Sequence, residues 1–204
     1  MHRLMFQLVF VFVFGAGVAT AQQSYTPPPV GTQITWSDNS GGETKTRVSE
    51  VVAVGSDFAT HLYNLGWDNG RASSYFAEFS GLHVVSCASV MPSREERDRL
   101  RALWPLQSGK TLSLEAPQTL TYEVGYAEEY TVSQSEGSAV AYRVKSRFGD
   151  HETGVLISLD LNTTVEMAWS DGAKDRAIDV FRKPSTGDDA LDQKLGLCQA
   201  LLEP

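Results

Sequence analysis

His61, His83 and His151 are the side chains best suited to acid–base or metal chemistry in this chain of 204 residues. Each falls in or beside a segment with the alternation of a β-strand. His61 and His83, placed on one sheet face, would bind a metal ion together with a carboxylate. No two of the three stand at i, i+2 or i, i+4, the spacings that align imidazoles on a strand or a helix. The pattern is that of packing or surface histidines, and no metal site is expected. Nucleophilic chemistry has no clearer signature. No G-x-S-x-G elbow occurs, and neither Ser80-Gly81 nor Ser170-Asp171-Gly172 supplies one. Cys87 beside His83 or His61 would make a thiol nucleophile, but the second cysteine, Cys198, favours a disulfide instead.

Carboxylates occur in adjacent pairs at Glu95-Glu96, Glu128-Glu129 and Asp188-Asp189. Glycosidase acids must face each other across a sugar. Neighbours on a strand point to opposite faces, and acids at a helix start answer the macrodipole. All three pairs therefore read as solvated surface. Asp38 to Glu43 has the oxygen density of a calcium loop without its spacing, and reads as a hairpin turn. No cofactor motif is present, and none is expected.

Aromatic residues are the remaining lead. Trp36, Trp67, Tyr75, Trp104, Tyr142 and Trp169 would line a pocket for an apolar ligand if a curved sheet turned them inward. The competing reading is ordinary core packing.

The position of these residues depends on where the chain folds. Residues 1–21 have the form of a cleaved export signal: Arg3, an apolar run from Phe6 to Phe14, then Ala19-Thr20-Ala21. The run is too short for a permanent transmembrane helix, and no second one follows. Losing this leader removes Arg3 and no acid, so the net charge moves from −8 to −9. An acidic surface repels nucleic acid and anionic headgroups. The expected location is periplasmic or secreted. Two cysteines in an oxidising compartment are most simply one bridge, Cys87–Cys198.

Residues 22–30 form a proline-rich, extended and mobile lead into one β-rich domain, 31–204. Strands are predicted at 32–36, 44–54, 58–64, 71–79, 82–86, 111–114, 119–123, 129–134, 139–147, 153–161, 163–169 and 177–182. The turns between them are rich in Gly, Asp, Asn and Ser, including Asp68-Asn69-Gly70. Asn162-Thr163-Thr164 also fits a glycosylation sequon. One helix is predicted over about 93–103, opened by the capping box Ser93-Arg94-Glu95-Glu96 and stopped by Pro105. A second, amphipathic helix is predicted over about 188–202. The fold class is mainly β: a single antiparallel meander forming a curved half-barrel or barrel-like sheet, with two stacked sheets as the alternative.

Leu103-Trp104-Pro105-Leu106 followed by Gly109-Lys110, with the export signal and the meander texture, resembles uncharacterised secreted β-rich envelope proteins of bacteria. The resemblance implies a periplasmic setting and assigns no residue a role. Three functional classes follow from these features. The first is a non-catalytic domain binding an apolar small molecule, lipid or envelope component. The second is a structural or interaction protein of the envelope, and the third a hydrolase whose site is assembled from distant residues. The number of subunits is left open.

Overall fold

A computed structural model describes residues 24–38, 44–65, 74–87, 89–115, 119–132, 138–182 and 198. The export signal, Trp67, the Asp68-Asn69-Gly70 turn and, Cys198 apart, the helix predicted over 188–202 lie outside the described residues. Eleven strands form one antiparallel sheet: β1 (Thr32–Asp38), β2 (Lys45–Val54), β3 (Phe58–Leu65), β4 (Ser74–Phe79), β5 (His83–Ser86), β6 (Thr111–Leu114), β7 (Leu120–Thr131), β8 (Ser138–Phe148), β9 (His151–Ser158), β10 (Thr163–Ala168) and β11 (Lys174–Arg182). A helix, α1 (Arg94–Arg101), joins β5 to β6.

The strand order is β5-β4-β3-β2-β1-β11-β10-β9-β8-β7-β6. Consecutive strands are neighbours, and the first strand pairs with the last. Only the β5–β6 step lacks a ladder, so the meander is an open half-barrel with its seam there. Both seam strands are four residues long. Short edges offer little to pair with another chain.

Hydrogen bonds across the sheet measure how far it curls. Thr164 on β10 donates to Glu78 Oε1 on β4 at 2.8 Å, although the two strands are five places apart in the sheet. Five strand spacings in a flat sheet would hold them about 24 Å apart. Tyr122 Oη on β7 and His83 Nδ1 on β5 are likewise 2.8 Å apart. Nine spacings separate those strands, about 43 Å if the sheet were flat.

Sequence expectation and structure differ most in β7. The segments predicted as separate strands, 119–123 and 129–134, are joined in one strand, Leu120–Thr131, as far as the described residues go, and the stretch between them is a bulge between Val124 and Ala127 rather than a turn. A side chain at Gly125 would come 3.1 Å from the Arg143 carbonyl oxygen. Glycine is needed there for close backbone approach, not for reversal of the chain. Tyr25, within the stretch expected to lead loosely into the domain, is buried against the Trp104 ring at 5.7 Å.

The helix is built as predicted at its start. Ser93 Oγ accepts from the Glu96 amide, and Glu96 Oε2 accepts from the Ser93 amide. Leu100 is its buried anchor, and Arg99 donates to the Ser113 carbonyl of β6. Beyond it, Trp104 and Leu106 enter the core, and the Trp104–Pro105 peptide is cis. Lys110 Nζ donates to the carbonyls of Leu103 and Pro105. The ammonium thereby supplies donors to carbonyls of the turn that follows the helix.

Two apolar clusters fill the molecule. The first joins Phe58, Leu62, Tyr75 and Phe79 to Leu100, Leu103, Trp104 and Tyr122, closing the seam. The second gathers Ile34, Trp36, Tyr63, Leu156 and Met167. Cys87 and Cys198 are disulfide-bonded, with Cα atoms 5.2 Å apart. No helix among the described residues is long and apolar enough to cross a membrane.

Candidate functional site

A cavity of about 400 Å³ opens where the curled sheet fails to close. Its walls come from β4 (Phe76), the β4–β5 turn (Leu82), β5 (His83, Val84), β7 (Leu120, Tyr122), β8 (Ser146), β9 (Thr153 to Val155) and β10 with the residue after it (Met167 to Trp169). Pairing explains why these distant residues meet. Tyr122 pairs with Ser146, Ser146 with Thr153, and Val155 with Met167. Directly opposed residues put their side chains on the same sheet face, so one row of side chains crosses four strands. The β5 edge arrives from the other end of the sheet and completes the wall.

The lining is mostly apolar with a few fixed polar groups, the usual character of a small-molecule pocket, and its volume lies in the usual range of about 300–1,000 Å³. Ser146 and Thr153 hydroxyls bond each other at 2.7 Å. His83 and Tyr122 form the second polar pair. Burial lowers the His83 pKa from its ordinary value, against the opposing pull of the Glu96 carboxylate. Burial also raises the Tyr122 phenol well above its usual range, with Glu96 adding to the rise. At neutral pH the pair is therefore an uncharged imidazole and a protonated phenol.

Of the six aromatics singled out from sequence, Trp67 lies outside the described residues, and of the other five only Trp169 lines this cavity. Trp36 is buried in the second cluster, where its Nε1 donates to Ser49 Oγ at 2.9 Å. Tyr75 and Trp104 belong to the first cluster, and Trp104 Nε1 donates to the Ser80 carbonyl. Tyr142 packs against the same cluster, partly buried. Trp169 does line the cavity, is 48 % exposed, and donates to Asp175 at 3.3 Å. Phe76 and Tyr122 supply the other aromatic walls.

His61 and His83 do not share a sheet face. His61 pairs with Phe76 and His83 with Phe79, and alternation sends side chains three residues apart on β4 to opposite sides. His61 instead meets Glu78, its Nε2 2.9 Å from Oε2, both side chains buried. Burial alone would push the Glu78 carboxyl up. The close approach of His61 and the hydrogen bond from Thr164 outweigh it and hold the pKa below its ordinary value. The arrangement His61–Glu78–Thr164 braces β3 and β4 against β10. Cys87 is committed to the disulfide. Among the described residues no group of three His, Cys, Asp or Glu side chains is placed to hold a metal ion.

No family model matches the chain, and no curated protein matches it. Among solved structures it is similar to a candidate exported protein with a YmcC-like fold from Bacteroides fragilis. The identity is 9 %, the match covers 78 % of this chain and 99 % of that one, and the TM-score is 0.37. A likeness this loose transfers no role.

Proposed function

We propose that the protein is an exported, non-catalytic β-domain that holds an apolar small molecule in the seam cavity. The observation that carries this reading is the cavity itself: about 400 Å³ walled by Phe76, Leu82, Val155, Met167 and Trp169. Apolar walls of this kind favour binding through area removed from water, about 25 cal/mol per Å². The histidines give the hydrolase reading little support. His83 is engaged by a phenol and His61 by a buried carboxylate. Export rests on the form of residues 1–21 and agrees with the Cys87–Cys198 bridge.

The test uses N-phenyl-1-naphthylamine, an uncharged dye that fluoresces in apolar surroundings. The mature chain is expected to bind it saturably at one site. Val155→Trp, which fills the cavity, is expected to weaken binding about tenfold or more, a change of about 1.4 kcal/mol. Thr153→Trp, also on the wall, gives the same readout if the first variant fails to fold. Unsaturable binding, or equal binding by folded cavity-filled variants, would sink the reading.

A further inference from the structure

The walls of the cavity and its polar edge ask different things of a ligand. Phe76, Leu82, Val155 and Met167 offer only apolar surface, and His83 with Tyr122 offers an uncharged hydrogen-bonding pair. None of the described lining residues is Lys or Arg. The charge that acts on both members of the polar pair is the Glu96 carboxylate. Its place is set by the capping box, which ties Oε2 to the Ser93 amide at 2.7 Å.

We propose that the cavity selects an uncharged amphiphile, an alkyl or acyl chain ending in a hydroxyl, ester or amide, over the same chain ending in a carboxylate. This rests on the binding reading above and sharpens it to a ligand class. A hydroxyl or carbonyl head exchanges water for the phenol or the imidazole at little loss. A carboxylate head would be stripped of water with no cation to replace it, because a buried charge needs a partner. It would also lie in the field of the Glu96 carboxylate, which already bears on His83 and Tyr122, and like charges repel the more strongly as water is excluded. The volume limits the chain as well. At roughly 30 Å³ per water-sized group in a liquid, the cavity of about 400 Å³ takes an alkyl chain of about a dozen carbons.

The experiment is displacement of N-phenyl-1-naphthylamine from the mature chain at neutral pH by 1-decanol and by decanoate. Decanol is expected to displace the dye at a concentration about tenfold lower than decanoate. Glu96→Gln is expected to narrow that gap about threefold, through decanoate alone. Glutamine keeps the capping box, so the helix start survives the change. Decanoate displacing as well as decanol, or a gap unchanged in Glu96→Gln, would overturn the proposal while leaving cavity binding intact. Failure of the dye to bind, or of both chains to displace it, would overturn cavity binding and this inference together.

Discussion

Replacing both cysteines, Cys87→Ser with Cys198→Ser, is expected to cost the protein roughly 4 to 5 kcal/mol of stability. The bridge spans 111 residues. In the chain-entropy account, the freedom it removes from the unfolded chain grows with the logarithm of that number. The position adds to the effect. Cys87 follows β5 directly and is buried in the cluster that packs the seam strands against Leu100 and Trp104. Equilibrium urea unfolding of the double variant beside the oxidised protein measures the difference. A loss under about 1 kcal/mol would mean that seam packing alone holds the edges.

The second large effect is expected at Glu78. Its carboxylate is buried between His61 and Thr164, and Glu78→Ala leaves an imidazole and a hydroxyl without their partner. Leaving a buried polar group without its partner costs about 1–3 kcal/mol for each group. A related dependence on pH follows in the wild type. Because the folded pKa of Glu78 lies below its unfolded value, the folded state binds fewer protons there. The stabilisation is complete above the ordinary glutamate range near 4.3 and is lost as pH falls through the depressed folded value. Urea midpoints measured from neutral pH downward should decline in that window in the wild type. The decline should be shallower in Glu78→Gln.

The parts of this fold that were legible from sequence are those set by neighbours in the chain. Ser93 and Glu96 announce a helix start because a capping box needs only a three-residue spacing, and both of its bonds form. Strands such as Thr111–Leu114 and Phe58–Leu65 show in their alternation and bounding turns. Gly125 was misleading for a local reason. A glycine between two strand-like runs looks like a reversal, and only the approach of Arg143 from β8 makes it a bulge.

Contacts set by the curl had no local signal. His83 and Tyr122 are 39 residues apart, and they meet because β1 pairs with β11 and brings both ends of the meander round. The same blindness explains the aromatics. Trp36, Trp104 and Trp169 look alike in sequence, yet each is placed by the strand face or turn that carries it. The first two fill the interior, while Trp169 follows the last residue of β10 and so reaches the opening. A net charge of −8 fitted many soluble proteins. Only the meeting of His83 and Tyr122, both in the field of Glu96, gives one carboxylate a bearing on the cavity.

Everything proposed for this chain depends on a small apolar guest occupying the gap its rolled sheet leaves open. Native mass spectrometry of protein gently purified from its own host addresses that most directly. The account predicts one small adduct per chain, released by organic extraction and absent from Val155→Trp. A bare chain mass, or an adduct that the filled variant retains, would contradict it.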